Sequence, residues 1–167
     1  ADSMQVYKEV KILSARPDDK VVKHHLYGFV SVKKSFSTGA WLKQAVKKIK
    51  QINKKGKVAL VVGGTGLYFK ALTEGFSEIP NVPKPKINFK LNKSYISKFP
   101  KIFKGVSEND KQRLQRAFLV YKHTGKPLWD WQKKNKKFFK SSEFIKICLQ
   151  TAKSELEDRI KRRFVEM

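Results

Sequence analysis

Acidic residues are scarce in this chain. Its 167 residues hold 14 Asp and Glu against 38 Lys and Arg, a formal net charge of +24 at pH 7. A surface of that sign repels cationic partners and attracts polyanions, because each phosphate neutralised by Lys or Arg releases condensed counterions. Cysteine is nearly absent as well. Cys148 stands alone, which excludes an internal disulfide framework and any zinc site built on paired thiolates. It reads as a small buried hydrophobe without a redox or nucleophilic role. Long apolar runs are missing. The longest, Val58 to Val62, falls far short of the ~20 residues of a bilayer-spanning helix, and nothing near Ala1 resembles a signal peptide, so the chain reads as soluble and cytoplasmic. It opens without an initiator Met and enters patterned sequence at once, as a chain that begins inside a domain would. Hydrophobic residues at 40% still supply a core for one domain of roughly 150 residues.

The apolar periodicities outline an α/β chain. His24 to Val32 reads as a short strand. Ser37 reads as an N-cap, with Phe36 before it and Trp41 one turn in at the spacing of a hydrophobic staple. Trp41, Leu42, Ala45, Val46, Ile49 and Ile52 then recur at helical spacing until Gly56. The valine-rich run Val58 to Val62 predicts a strand covered on both faces, as in parallel sheets. Gly63-Gly64-Thr65-Gly66 turns it into a helix over Leu67 to Thr73. Between Ser77 and Gly105, Pro80, Pro83, Pro85 and Pro100 interrupt scattered apolar residues, including Ile87, Phe89, Ile96, Ile102 and Phe103. That segment predicts an irregular insertion. A helix returns at Asp110 with Leu114, Ala117, Phe118 and Tyr121 on one side, Gly125 at its C-cap and Pro127 beyond. Trp129 and Trp131 fall on a short helical turn, where core packing and base stacking are both open to them. Lys133 to Ser142 reads as a basic loop and Phe144 to Leu149 as a second buried strand. Ser154 and Glu157 have the spacing of a capping box that opens a helix on Leu156, Ile160, Phe164 and Met167.

Several residues could carry chemistry. Asp2 precedes Ser3, Met4 and Gln5 at the expected carboxyl end of a strand, where α/β sheets hold their ligands. A carboxylate there can take a proton from an amine, hold a metal through water, or simply cap the next turn. The glycine turn with Thr65 could face an anion at a helix N-terminus, although it matches neither the Walker pattern nor the full dinucleotide fingerprint. Gln112, Arg113, Leu114, Gln115 and Arg116 open a helix with two arginines at the end that disfavours them, a hint of phosphate contact or of a salt-bridged face. Arg159 and Arg163 share a second helical face. His24 and His25 have no Cys or carboxylate at metal spacing and read as structural. Paired lysines such as Lys47-Lys48 and Lys133-Lys134 serve a solvated face as readily as a nucleic acid.

Taken together, Asp2-Ser3-Met4-Gln5-Val6-Tyr7-Lys8, His24-His25-Leu26, the stretch from Val62 to Leu72, Asn109-Asp110, Gln112 to Ala117, Thr124-Gly125-Lys126 and Arg159-Ile160 with Arg163 and Met167 resemble, in order and spacing, the tRNA dimethylallyltransferase family. The resemblance implies a P-loop NTPase-like three-layer α/β core with a parallel sheet, incomplete here and interrupted by a mainly helical insertion. It divides the chain into core portions at 1–76 and 142–167 and a tRNA-binding insertion at 77–141. It implies that Asp2 is the general base for the exocyclic amine of the adenosine 3′ of the anticodon, with Thr65 a second catalytic residue in the reaction channel. Asp2, Ser3, Met4, Gln5 and Gln112, Arg113, Leu114, Gln115 and Arg116 would contact tRNA, and Arg163 and Arg113 would hold diphosphate. Dimethylallyl diphosphate, a tRNA anticodon stem-loop and Mg²⁺ are the implied substrates and cofactor, and the implied assembly is a monomer.

The chain departs from that family at three places. A Gly-rich P-loop would precede Ala1, C-terminal tRNA contacts would follow Met167, and Lys86 or Ile87 stands where an arginine is usual. The 167-residue chain alone is therefore expected not to turn over dimethylallyl diphosphate. An adenylate isopentenyltransferase acting on free nucleotide, and a non-catalytic basic RNA-binding remnant, are the alternatives.

Overall fold

The computed structural model describes residues 1–17, 22–83 and 91–166. They form a mixed α/β structure whose contacts divide into two compact units, Ala1–Thr73 with Phe138–Met167 and Glu74–Lys137. In the first unit, α1 spans Thr38–Asn53 and α2 spans Gly66–Glu74. Ser37 caps α1, its hydroxyl accepting from Ala40 N–H at 3.2 Å, as its sequence position predicts. The apolar stripe of α1 buries Trp41, Leu42, Ala45 and Val46. Trp41 stacks on Tyr68 of α2 with ring centroids 4.2 Å apart and an interplanar angle of 13°. Phe36 packs edge-on against Phe29.

Residues 2–15 wind through turns instead of running straight. Val6 is buried at their centre, and a parallel bridge joins Tyr7 to Val30 through Lys8 N–H to Val30 O at 2.8 Å and Val30 N–H to Val6 O at 3.0 Å. That bridge is all that forms of the strand expected over His24 to Val32. Leu26 and Gly28 have φ of 64° and 55°, in the left-handed region that no strand can contain.

The buried strands expected over Val58 to Val62 and Phe144 to Leu149 are not formed. Val58 is 93% exposed, Ile145 94% and Leu149 90%, and Cys148 is exposed, not buried. A valine-rich run marks strand propensity, but a strand exists only where a neighbour pairs its amides and covers its faces. Among the described residues Val58 to Val62 meets a neighbour only at its end, where the Ala1 amine donates to Val62 O, and Val58 and Leu60 stay exposed. The one sheet among those residues is two-stranded and antiparallel, and the parallel pairing there is the Tyr7–Val30 bridge.

The helix after Phe144 to Leu149, α6, spans Lys153–Glu166. Its first residue precedes Ser154, which therefore stands inside the helix and not at its cap, and Glu157 pairs with Lys153 at 3.9 Å. Leu156, Ile160 and Phe164 are exposed. Met167, expected on the same face, lies outside the described residues. No helix among those residues is long and apolar enough to cross a membrane.

The second unit holds the antiparallel pair. Strand β1, Phe76–Ser77, pairs with β2, Asn135–Lys136, and the Ser77 hydroxyl, in a buried residue, donates to Asn135 Oδ1 at 2.8 Å. Thus the basic loop expected from Lys133 contains a strand, followed by a 3₁₀ turn at Ser141–Glu143. The proline-rich segment also holds more order than its composition suggests. Asn92 caps α3, Lys93–Lys98, by accepting from Tyr95 N–H at 2.7 Å, and Ile96, Ile102 and Phe103 enter the core. Lys86, Ile87 and Phe89 lie outside the described residues. Helix α4, Lys111–Thr124, starts at Asp110 and ends at Gly125, whose φ of 67° suits a left-handed cap. Helix α5, Leu128–Gln132, follows Pro127. Leu114, Ala117 and Val120 of α4 meet Ile96, Ile102, Phe103 and Leu128 in one apolar cluster.

Replacing Leu114, 3% exposed, by Ala should cost about 2–5 kcal/mol, the range for emptying a buried leucine site, whereas Arg113→Ala on the same helix should cost under about 1 kcal/mol. Urea denaturation of both variants checks the difference.

Candidate active site

The glycine-rich turn and the N-terminal residues meet in the first unit. A Cβ on Gly63 would lie 2.2 Å from the Ala1 carbonyl oxygen, whereas Gly64 and Gly66 face open space. Gly63 is thus required because another segment's backbone rests on it. Thr65 N–H donates to the same Ala1 oxygen at 3.1 Å. This amide, a candidate anion donor in the sequence, holds the N-terminal segment instead. The Thr65 hydroxyl accepts from Ser3 N–H at 2.9 Å and donates toward Ser3 Oγ at 3.4 Å. Thr65 immediately precedes α2, but its hydroxyl reaches across to Ser3 where a helix cap would be expected.

Asp2 is half-buried beside this junction. Its Oδ1 accepts from Met4 N–H at 2.7 Å and Gln5 N–H at 3.2 Å. The capping role open to Asp2 is therefore real, and it uses one oxygen. Oδ2 has no hydrogen-bond donor among the described residues. Tyr68 lies below, stacked on Trp41. Burial pushes its hydroxyl pKa up, and negative charge on Tyr7 and Asp2 adds to the shift. The neutral phenol is the form this environment favours.

The Gln5 amide nitrogen donates to the carbonyls of Ser14 at 3.0 Å and Ala15 at 3.3 Å. Ser3 and Met4 are exposed. Arg16 was not singled out in the sequence. Its Nη1 donates to Tyr7 O at 3.0 Å, and its guanidinium fills the space a Cβ would need at Gly28. The available signal was Gly28 itself, which admits such an approach. Glu9 Oε2 accepts from Val32 N–H at 3.1 Å, and that bond, with the Ser31 hydroxyl, holds the carboxyl below its ordinary pKa. His25 is held below the usual histidine value by burial and by Lys48 and Lys23 nearby. His24 stacks on Tyr27 at 5.4 Å.

Arg163 of α6 belongs to this unit as well. Its Nη2 donates to Leu13 O at 3.0 Å, which ties α6 to the loop following Asp2, while Arg159 pairs with Glu155. No group of three or more His, Cys, Asp or Glu side chains gathers among the described residues in a way that could hold a metal. Magnesium binds through one or two carboxylates with several waters and phosphate oxygens. Among the described residues, Asp2 is the carboxylate that stands at this turn.

Gln112, Arg113, Leu114, Gln115 and Arg116 lie on the first turns of α4, in the second unit. Asp110 resolves the unfavourable placement of arginine there. One carboxylate oxygen accepts from Arg113 N–H at 3.0 Å, and the other pairs with Arg113 Nε at 3.2 Å. An acid just outside the helix thus offsets both the exposed amides and the arginine charge. Gln112 and Arg113 are exposed, Gln115 and Arg116 half-buried. Leu114 is buried in the apolar cluster, so it can act on RNA only by holding the helix.

If Gly63 is the seat of the Asp2 turn, Gly63→Ala should speed amide exchange at Ser3 and Thr65 by about 10-fold or more, as local opening becomes easier, while Gly64→Ala leaves both unchanged. Hydrogen exchange followed by NMR reads both variants.

Residues 5–167 match the family model described as IPP transferase. The chain is 42% identical over 181 residues to a tRNA dimethylallyltransferase of Pelagibacter ubique, an alignment covering 100% of this chain and 58% of the relative. It is 35% identical to the enzyme of that name from Hyphomonas neptunium, again over 100% of this chain and 58% of the relative. With that of Sinorhizobium medicae it shares 38% over 100% of this chain and 60% of the relative. The chain thus spans about three-fifths of the length of these curated relatives. The family match runs over residues 5–167, Thr65 included, and places the chain by descent: it belongs to the IPP transferase family.

Proposed function

We propose that this chain forms part of a cytoplasmic, monomeric tRNA dimethylallyltransferase. Residues 1–76 and 142–167 contribute to a P-loop NTPase-like core with a parallel sheet, and residues 77–141 form its tRNA-binding insertion. The reaction moves the dimethylallyl group of dimethylallyl diphosphate to the exocyclic amine of the adenosine 3′ of the anticodon. The observation that carries this reading is the division of labour within Asp2. Two backbone amides fix Oδ1, which leaves Oδ2 positioned to accept a proton.

The adenine amine is a weak nucleophile, so a fixed carboxylate assists it as its nitrogen bonds to the allylic carbon. The carbon–oxygen bond to diphosphate breaks with its electron pair, pyrophosphate leaves, and the amine proton passes to Asp2 Oδ2. Growing negative charge on the leaving group calls for cationic donors, a role for Arg163 and Arg113, whose planar guanidiniums suit phosphate oxygens. Thr65 acts as a positioning residue by fixing Ser3. Ser3, Met4, Gln5, Gln112, Gln115 and Arg116 contact the RNA, with Leu114 supporting the helix. An unpaired loop base is the accessible target, since duplex RNA hides its bases. The family resemblance implies Mg²⁺, which when bound would offset charge on the diphosphate oxygens.

In the intact protein, Asp2→Asn keeps the turn's acceptor but removes the base. Dimethylallyl transfer to an anticodon stem-loop should slow by about 10²- to 10⁴-fold, while RNA affinity changes by less than about 3-fold. Equal losses in rate and affinity would count against Asp2 as the base. Thr65→Val should lower kcat by about 10-fold with KM nearly constant, the pattern of lost positioning, and Thr65→Ser should restore it. Steady-state kinetics with AMP as competing acceptor separates this activity from transfer to a free nucleotide.

A further inference from the structure

The second unit carries a cationic feature that the reaction does not use. Trp129 on α5 is fixed at one edge, its indole Nε1 donating to Lys101 O at 2.7 Å, and Leu128 beside it is buried in the apolar cluster. Two ammonium groups sit over its ring. Lys133 Nζ lies 4.3 Å from the ring centroid and Lys104 Nζ 5.1 Å. They come from different segments, Lys104 from the loop between α3 and α4 and Lys133 from the end of α5. Both lysines are exposed.

Bringing two like charges onto one residue is unfavourable in itself, and the negative face of the indole offsets it. The ring engages the charge of each ammonium but leaves N–H donors for a ligand. One carboxylate approaches, Asp130 Oδ1 at 3.6 Å from Lys133 Nζ, in an exposed pair whose strength is small. Between Glu74 and Lys137 there are 16 Lys and Arg against 5 Asp and Glu, so the field around the cluster remains strongly positive.

We infer that Trp129 holds Lys104 and Lys133 as a clamp for the sugar-phosphate backbone of RNA. The inference rests on the tRNA reading proposed above and adds a contact outside Asp2, Thr65 and the first turns of α4. With ammonium groups over its ring, the indole serves less as a platform for a base than as an anchor for two charges. Fixing those side chains in advance removes part of the ordering cost that flexible lysines incur on binding. Phosphate contacts of this kind strengthen binding and set orientation without reading sequence.

The test is salt-dependent binding of the intact protein to a synthetic anticodon stem-loop RNA, measured by fluorescence anisotropy. Lys104→Gln with Lys133→Gln should weaken binding about 10-fold at low salt and reduce the log–log salt slope by about 1–2. A control pair on α1, Lys43→Gln with Lys47→Gln, should have a smaller effect on both. Trp129→Leu, which alters no charge, should also weaken binding, by about 3-fold or more, because the lysines lose their anchor. The clamp is refuted if the two lysine pairs behave alike, if Trp129→Leu binds as the unaltered protein does with its fold intact by circular dichroism, or if polyglutamate competes as well as RNA. Should Trp129→Leu unfold, the comparison of lysine pairs decides. Binding is read without transfer, so an inactive protein with a working clamp would reject the catalytic reading alone, and normal transfer with no clamp effect would reject this inference alone.

Discussion

Ser3 N–H reaches the Thr65 hydroxyl across 62 positions of sequence, and Thr65 N–H returns to the carbonyl of Ala1. Everything proposed for Asp2 depends on this pair of bonds. They close a loop containing all of α1, and the entropy of closure must be met elsewhere. The Trp41–Tyr68 stack and the burial around Val6 supply that. The apolar contacts bring the two segments together, and the hydrogen bonds then fix their register. Gly63 makes the approach possible because a side chain there would collide with backbone that cannot move aside.

Local signals were the readable part of the sequence. Ser37, Asp110 and Gly125 cap their helices because capping needs only the residue and its neighbours. The stripe Trp41, Leu42, Ala45 and Val46 was readable for the same reason, since helical spacing is a property of one segment. Val58 to Val62 and Phe144 to Leu149 show the opposite case. Their composition records a preference for pairing, yet pairing belongs to a neighbour, and among the described residues the first run meets one only where the Ala1 amine reaches Val62 O. Leu26 was concealed because a left-handed leucine has no signature in composition. Asn92 was concealed because the prolines around it marked an irregular insertion, although its side chain caps α3 by the same local rule.

At the candidate site, sequence singled out Asp2 and Thr65 but not the bonds that hold each of them. Spacing could not say that one Asp2 oxygen would be consumed by its own turn, or that Thr65 would serve Ser3. The arginine pair at the start of α4 looked electrostatically misplaced until Asp110 was seen to engage Arg113 through both oxygens. In the second unit one hydroxyl links two helices. Thr124 Oγ1 donates to Val120 O at 2.7 Å and accepts from Trp131 Nε1 at 3.3 Å. That bond accounts for Trp131 structurally and leaves Trp129 as the tryptophan with two cations over it.

The exposed valines between α1 and the glycine turn bear on the lysine surplus in another way. A run of high β-propensity, open on its faces and without proline, is the kind of segment through which chains stick to one another. Here Lys54, Lys55 and Lys57 stand immediately before Val58, and Lys146 interrupts the comparable run after Phe144. Charges in those places act as gatekeepers, since stacking two copies would crowd like-charged ammonium groups together. Part of the surplus of +24 thus stands beside strand-prone runs, where like charge opposes edge-to-edge pairing between chains whether or not RNA is bound.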